Sequence, residues 1–236
     1  MNTQKVAVIT GASQGIGAGL VTAYRKLGYA VVANSRSIAP SDDPFVLAVP
    51  GDIGEIGVGT AVIEKGLEAF GRIDTLVNNA GVFIAKPFTE YTDAEFDQVS
   101  GINLRGFFDT TRRAVTAMLD HEDGGHVVNI TTTFTEHALS DVPAALAALT
   151  KGGLNSVTRS LAIEYAARNV RFNAVSPGVI RTPMHPAETH DFLAALHPVG
   201  RLGEIEEIVD AVTYLESAKF VTGEILHVDG GQQAGH

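Results

Sequence analysis

A glycine-rich turn near the beginning of the sequence limits the possible folds more than any other feature. Residues 5–9 are almost entirely apolar and predict a β-strand, and glycines at positions 11, 15 and 17 follow before a segment of helical period over 15–28. Glycines make the turn tight, let the backbone approach a diphosphate and leave N–H groups free at the helix N-terminus. Between a strand and a helix, this turn predicts binding of a dinucleotide. The residues expected to contact it are Gly11, Ser13, Gln14, Gly15, Ile16 and Gly17.

The rest of the sequence alternates between short apolar runs and longer segments of helical period. This alternation is typical of parallel strands joined by crossover helices. We predict strands at 5–9, 30–34, 46–49, 74–78, 126–130, 170–175 and 225–228, and helices near 15–28, 55–71, 92–119, 144–168 and 205–217. The predicted fold class is α/β: a single-domain, doubly wound Rossmann fold over residues 1–236, with about seven parallel strands flanked by helices.

Two local signals refine this prediction. Thr92 precedes the helix at 92–119 and Glu95 follows three residues later, which is the spacing of a capping box. Residues 37–46 are short of helix formers and rich in Pro, Ser and Asp, so we expect the second crossover to lack a full helix.

Composition narrows the classes of partner and of site. The formal net charge of -10 disfavours nucleic acid and anionic membranes, because both require a basic face. The chain has no cysteine, which excludes disulfides and thiolate metal sites, and we expect no structural metal. No apolar run reaches about 18 residues and no signal peptide precedes the first strand, so we expect a cytoplasmic protein.

Further motifs, in a fixed order over nearly the whole chain, resemble those of the short-chain dehydrogenase/reductase family. Members of the family have the motif Gly-x-x-x-Gly-x-Gly at this turn, and the same spacing occurs here at Gly11, Gly15 and Gly17. The later matches are Asp52 after the third strand, Asn78-Asn79-Ala80-Gly81 after the fourth, Asn103 in the next helix, Lys151, and Ser176-Pro177-Gly178 after the sixth.

The resemblance assigns an expected role to each of these positions. It implies that Asp52 and Ile53 flank the adenine of a nicotinamide cofactor, and that Asn79 and Gly81 shape the wall of its site. It implies that Asn103 holds a water in a proton relay. The residues implied to line the nicotinamide side are Pro177, Gly178, Ile180 and Thr182, the last near the diphosphate or carboxamide.

The end of the second strand indicates which cofactor is used. NAD-binding proteins usually place an acidic side chain there, which would repel the 2′-phosphate of NADPH. This chain has Asn34, Ser35 and Arg36, which we expect to contact the cofactor. Ser35 can donate a hydrogen bond and Arg36 can form a charge-assisted pair, so NADP(H) is favoured. The alternative is that Arg36 is only a solvated surface charge.

The sequence departs from the family at the residue that normally transfers the proton. The family uses Tyr-x-x-x-Lys, in which the tyrosine is the general acid and the lysine holds the nicotinamide ribose. Four residues before Lys151 stands Ala147, and no tyrosine occurs between Tyr91 and Tyr165. Because alanine cannot transfer a proton, ordinary carbonyl reduction is expected to be impaired by roughly 10²–10⁴-fold.

Other polar side chains near this position are candidates for the remaining chemistry. The family serine that polarises the substrate falls in a run of threonines, where Thr132 is the first choice and Thr133 remains an alternative. Three replacements for the acid stay open: Lys151 itself, a water held by Asn103 and Lys151, or a side chain of the loop containing His137.

Three functional hypotheses follow. The first is an NADPH-dependent reductase acting on a small-molecule carbonyl, imine or activated alkene. The second is a cofactor-binding sensor or partner subunit without turnover, and the third is a carbonyl reductase silenced by substitution at position 147. Residues 182–198 are expected to form a substrate lid. The family resemblance of the helices at 92–119 and 144–168 implies a homodimer or homotetramer.

The cofactor assignment gives a direct test. NADPH is expected to bind more tightly than NADH, and Arg36→Ala is expected to remove much of the difference, because its guanidinium pairs with the 2′-phosphate. Isothermal titration calorimetry measures both affinities. Equal affinities in the unmodified protein would contradict the assignment.

Overall fold

Seven strands form one parallel sheet in the computed structural model, which describes residues 4–235. Their order is β3-β2-β1-β4-β5-β6-β7, and every neighbouring pair is parallel. The strands are β1 Val6–Thr10, β2 Ala30–Ser35, β3 Val46–Pro50, β4 Thr75–Asn78, β5 Gly125–Ile130, β6 Val170–Pro177 and β7 Ile225–Val228. The doubly wound α/β fold and all seven predicted strands are confirmed.

Helices cover both faces of the sheet. They are α1 Gly15–Lys26, α2 Val58–Phe70, α3 Asp93–Ser100, α4 Gly106–Met118, α5 Ala145–Tyr165, α6 His190–Ala194 and α7 Ile205–Ser217. Residues 36–45 contain no helix, as predicted for the second crossover. None of the helices within residues 4–235 has the length and apolar character needed to cross a bilayer.

The predicted helix at 92–119 is divided by a π-helical turn, Gly101–Arg105, which joins α3 to α4 without a break. Its predicted capping box is confirmed: the Thr92 hydroxyl accepts from the Glu95 N–H at 3.3 Å, and Glu95 Oε2 accepts from the Thr92 N–H at 2.8 Å. Single π turns within helices are frequently found at functional sites. This one places Asn103 at the interior of the protein, where its side chain is buried.

Two apolar cores lie on opposite faces of the sheet because successive strand residues point in opposite directions. Val8 and Phe172 belong to the core under α2, α4 and α5, and Ile9 belongs to the core under α1 and α7. All five residues of β1 are buried, which explains their continuous apolar character. The sheet therefore holds the ends of its strands in fixed positions.

A buried polar network lies at the edge of the sheet where β4 and β5 begin. Glu216, near the end of α7, accepts hydrogen bonds from Tyr24 Oη at 3.1 Å, Tyr29 Oη at 2.9 Å and Thr75 Oγ1 at 3.1 Å. His126 Nδ1 lies 2.9 Å from Glu216 Oε2. One carboxylate thus links α1, β4, β5 and α7.

The protonation state of this network follows from its geometry. Asn173 Nδ2 donates to His126 Nε2 at 3.1 Å, which leaves the ring proton on Nδ1 for Glu216. Burial lowers the pKa of His126, so the ring is neutral. Burial alone would raise the pKa of Glu216, but the hydrogen bonds from His126, Tyr29 and Thr75 hold that pKa well below its usual range.

Removing this carboxylate is expected to weaken the fold. Glu216→Gln should lower the free energy of unfolding by about 3 kcal/mol, because the amide cannot accept from all of these buried donors. Urea denaturation measures the loss. Glu206→Gln, an exposed position on the same helix, is the matched control and should change stability by less than about 1 kcal/mol. Equal effects of the two substitutions would contradict a stabilising network.

Candidate active site

The glycine turn at the carboxyl end of β1 has the geometry that the sequence predicts. Gly11 and Gly15 have φ angles of +67° and +55°, which favour glycine. A Cβ atom at Gly17 would lie 2.1 Å from the Gly11 carbonyl oxygen, so only glycine fits there. The exposed side chains of Ser13 and Gln14 leave the turn open to solvent.

The N-terminus of α1 is suited to hold an anion. Its N-cap residue, Gln14, makes no side-chain capping hydrogen bond, and the first turn contains no acidic residue. The first N–H groups of a helix have no partner within it and favour negative charge. Thr182 lies beside this turn, since its methyl carbon is 3.4 Å from where a Cβ of Gly15 would stand. Ile16 is half-buried at the start of the helix. A cofactor diphosphate fits this arrangement.

Asn79 fixes the shape of the glycine turn from the end of β4. Its side-chain amide donates to the Thr10 carbonyl at 2.9 Å and to the Gly11 carbonyl at 3.2 Å. Its backbone N–H donates to Thr10 Oγ1 at 3.1 Å. The side chain therefore joins two neighbouring strand ends instead of merely capping its own loop.

The three residues at the end of β2 face in different directions. Asn34 is buried, and its amide donates to the carbonyls of Val49 at 2.9 Å and Gly51 at 3.2 Å, so it ties β2 to the end of β3. Ser35 Oγ accepts from the Ser37 N–H at 3.3 Å. Arg36 is 69 % exposed, with one guanidinium nitrogen 3.9 Å from Asp52.

Asp52 and Ile53 follow β3 on the same edge. Asp52 Oδ1 accepts from the Gly54 N–H at 2.9 Å, which fixes the turn after the strand. Ile53 is buried against Gly106, where a Cβ would meet the Ile53 side chain at 3.1 Å. The carboxylate of Asp52 remains about one third exposed beside Arg36.

Asn103 connects the loop after β4 to α5. Its Oδ1 accepts from the Val82 N–H at 3.0 Å, and its amide donates to the Val82 carbonyl and to Thr150 Oγ1, both at 3.1 Å. A Cβ at Gly81 would lie 3.4 Å from Asn103 Oδ1 and 3.3 Å from Lys151 Nζ. Gly81, Asn103 and Lys151 are therefore close together.

Lys151 is half-buried on α5 and points to the end of β5. Its Nζ donates to the carbonyl oxygens of Ile130 at 3.2 Å and Thr131 at 3.1 Å. No carboxylate forms an ion pair with it within residues 4–235. Burial lowers the pKa of Lys151 to about 8, because desolvation penalises the ammonium form.

The threonines after β5 differ in whether their hydroxyl groups are free. Thr131 Oγ1 donates to the Val175 carbonyl at 3.3 Å, and Thr133 Oγ1 donates to the Pro177 carbonyl at 3.2 Å; both side chains are buried. The Thr132 hydroxyl is half-buried and has no hydrogen-bond partner in the described part of the chain. Only Thr132 thus presents an unused hydroxyl.

Ala147 lies one helical turn before Lys151 and is only 2 % exposed. No tyrosine from elsewhere in residues 4–235 takes its place. Tyr24 and Tyr29 contact Glu216 at the opposite edge of the sheet, Tyr91 donates to the Ile84 carbonyl at 2.7 Å, and Tyr214 is exposed on α7. Tyr165, at the end of α5, packs against Phe172.

The segment after β6 passes along the same edge. Pro177 ends the strand, and Ile180 is buried and forms a bridge with Gly203. A Cβ at Gly178 would lie 2.7 Å from His197 Nε2, so glycine is required. Residues 182–198, predicted as a lid, contain a 3-10 turn and α6, in the part of the segment where Phe192, Leu193 and Leu196 have helical spacing.

Sequence reasoning did not predict two contacts near the site, one made by His197 of the predicted lid and one between two phenylalanines. His197 is buried, and its Nε2 accepts from the Val179 N–H at 2.9 Å, which ties the end of the 182–198 segment to β6. Phe83 and Phe134 pack with ring centroids 5.4 Å apart. Phe83 follows Gly81 by two residues and Phe134 directly follows Thr133, and this proximity to the motifs was the available signal. His137 is half-buried, and its ring has no hydrogen bond in residues 4–235.

Comparisons with known proteins agree with this geometry. A family profile described as "Enoyl-(Acyl carrier protein) reductase" matches residues 11–233. The 3-oxoacyl-[acyl-carrier-protein] reductase FabG of Thermotoga maritima is 33% identical over 96% of this chain and 97% of its own.

Solved structures give the same result. The structure of ElxO with NADP bound has a TM-score of 0.91 at 26% identity, covering 99% of this chain and 100% of that one. The 3-ketoacyl-(acyl-carrier-protein) reductase from Brucella melitensis complexed with NADH has a TM-score of 0.88 at 32% identity, covering 97% and 98%. The chain therefore belongs to the short-chain dehydrogenase/reductase family of oxidoreductases.

Proposed function

We propose that this chain is an NADP(H)-dependent reductase whose substrate is a small or medium-sized carbonyl, imine or activated alkene. The observation that supports a catalytic role most is the pairing of two available donors at the end of β5. The Thr132 hydroxyl has no hydrogen-bond partner in residues 4–235. Lys151 Nζ donates to the carbonyls of Ile130 and Thr131, the two residues directly before Thr132. A hydroxyl without a partner and an ammonium with one unused N–H can donate to a substrate or cofactor.

The proposed cofactor site extends from the glycine turn to the end of β6. The uncapped α1 N-terminus would hold the diphosphate, and Ser35 and Arg36 would hold a 2′-phosphate beside the adenine. ElxO was solved with NADP and the Brucella reductase with NADH, and the exposed Arg36 is the feature of this chain that supports NADP(H). When bound, the reduced nicotinamide supplies the two electrons of the reduction.

The chain's own residues would orient and polarise the substrate. We assign the Thr132 hydroxyl to donate to the substrate oxygen or nitrogen, because the Thr131 and Thr133 hydroxyls are occupied. The family resemblance places the nicotinamide ribose on the Lys151 side of the site. Both ends of the Asn103 amide are bonded to Val82 and Thr150, so it would fix the wall of the site. Its role in holding a water stays a prediction.

The absence of a tyrosine at position 147 restricts the substrate. Iminium ions, enones and quinones need less help from a strong proton donor than simple ketones do. The aromatic pair Phe83 and Phe134 follows two of the site motifs. Together these features favour an activated substrate over a simple aliphatic ketone.

A second candidate function is a cofactor-binding sensor without turnover, or a reductase silenced at position 147. The buried Ala147 is the observation that favours it, because no side chain at that position can transfer a proton. The free Thr132 hydroxyl favours catalysis instead.

We also propose that the chain forms a homo-oligomer, either a dimer or a tetramer. Apolar side chains on α4 and α5 are exposed, including Phe108, Leu149 and Ile163, the last at 81 %. Exposed apolar side chains on long helices are typical of surfaces that pair across a two-fold axis.

The decisive experiment for the proposed function is NADPH oxidation by the purified protein, followed at about 340 nm across ketones, enones, quinones and cyclic imines. Oxidation that depends on one of these substrates is expected. A protein that binds NADPH but oxidises none of it would leave the sensor as the function.

Thr132 should contribute through its hydroxyl alone. Thr132→Ser is expected to keep activity within about threefold, whereas Thr132→Val, which keeps the shape, should lower kcat/KM about 10²-fold because a donor to the reacting oxygen is lost. Steady-state NADPH oxidation measures both variants. Comparable activity of Thr132→Val and Thr132→Ser would rule out the assignment.

Introducing a tyrosine at position 147 distinguishes a reductase of activated substrates from a silenced carbonyl reductase. Ala147→Tyr is expected to lower the free energy of unfolding by about 1–3 kcal/mol, because the buried position must accommodate a larger side chain. It should also lower reduction of the activated substrate. Ala167→Tyr, at an exposed alanine just after α5, is the control for stability. A rise in ketone reduction in Ala147→Tyr would instead indicate a silenced carbonyl reductase.

A further inference from the structure

We infer that Lys151 is the proton donor of this site, acting directly on the substrate through an N–H of its Nζ that the protein leaves free. The inference rests on the proposed reductase function and names the acid of that reaction. It differs from a role confined to holding the cofactor, because the lysine then loses a proton in every turnover.

The geometry leaves one donor of the ammonium group unused. An ammonium has three N–H donors and no acceptor. Two donate to the Ile130 and Thr131 carbonyls, and the third has no partner in residues 4–235. The two carbonyls belong to the residues directly before Thr132, so Nζ and the free Thr132 hydroxyl lie next to the same strand end. We place the substrate oxygen at this strand end, where it would accept from both the Thr132 hydroxyl and the free N–H.

Within residues 4–235, Nζ forms no hydrogen bond or ion pair with another titratable group. From β5 it bonds to backbone carbonyls, and the loop after β4 approaches it with Gly81. The π turn contributes Asn103, whose amide is already bonded to Val82 and Thr150. On its own helix, Ala147 occupies the position one turn earlier. In the described part of the chain, Lys151 has no carboxylate partner that would hold its proton.

Burial makes the Lys151 ammonium a stronger acid, which favours proton donation to the substrate. Desolvation lowers the pKa of Lys151 to about 8, so the ammonium is largely protonated at neutral pH and still releases a proton readily. General acids are most effective when their pKa lies near the working pH. A paired surface lysine would hold its proton more firmly.

The step is balanced in atoms and electrons. For a carbonyl substrate, the carbon receives a hydrogen with two electrons from the reduced nicotinamide, and the C=O π bond breaks. The substrate oxygen forms an O–H bond with a proton from Nζ, whose N–H bond breaks. The products are an alcohol, the oxidised nicotinamide and a neutral Lys151 amine, which takes a proton from water before the next turnover.

The test uses the whole protein and 4-nitrobenzaldehyde, an activated carbonyl probe that does not titrate between about pH 6 and 10 and whose alkoxide product must gain a proton. In the unmodified protein, kcat/KM should be constant below about pH 8 and then fall about tenfold per pH unit, because the protonated form is required. Lys151→Arg keeps the charge and N–H donors but cannot release a proton. It should lower kcat/KM by at least about 10²-fold while changing the Kd of NADPH, measured by fluorescence titration, less than about threefold.

A second readout does not depend on turnover. Competitive acetylation of the intact protein, followed by peptide mass spectrometry, should show Lys151 becoming reactive at lower pH than the exposed Lys219. Lys86→Arg, which preserves the ion pair with Glu95, is the matched control and should leave reduction unchanged.

The possible outcomes separate this inference from the function on which it rests. Reduction by Lys151→Arg within about threefold of the unmodified protein, or a flat pH profile through about pH 9, would overturn the role of Lys151 and leave the reductase standing. Loss of activity in His137→Ala with an active Lys151→Arg would assign the proton to His137. Lack of oxidation in the unmodified protein at every pH would overturn the reductase itself.

Discussion

The side-chain amide of Asn79 is the contact on which the arrangement of the site depends. It reaches from the end of β4 to the carbonyls of Thr10 and Gly11 and so fixes the glycine turn at the end of β1. The turn in turn sets the position of the α1 N-terminus. Because β1 and β4 are adjacent and parallel in the sheet, a single amide suffices to align both strand ends. The same loop continues through Gly81 to Asn103 and Lys151.

Most of the fold could be predicted from the sequence because the signals are local. Strands buried on both faces are continuous apolar runs, and the helix start at Thr92 depends on Glu95, only three residues away. The π turn at Gly101–Arg105 was not predicted, since its residues continue a helical period. The Glu216 network was not predicted either, because Tyr24 and His126 are far from Glu216 along the chain.

For the candidate site, sequence gave the positions but not the directions of the side chains. Thr132 and Thr133 are equivalent in spacing, and only their hydrogen-bond partners in three dimensions separate them. Asn34 was grouped with Ser35 and Arg36, yet its amide faces the end of β3 and not the surface. The lowered pKa of Lys151 also depends on burial, which a motif does not report.

The stabilising network and the candidate site lie at opposite edges of the sheet, the first at the amino ends of the strands and the second at their carboxyl ends. The Glu216 network holds the amino edge together through buried charged and aromatic groups, whereas the carboxyl edge presents the Thr132 hydroxyl, which has no hydrogen-bond partner in residues 4–235, and the Lys151 amine. Substitutions at the carboxyl edge can therefore change reactivity while the remote network continues to supply stability. Because the two sets of groups are separate, a reacting side chain at the carboxyl edge can be replaced by another without loss of the Glu216 contacts that stabilise the opposite edge.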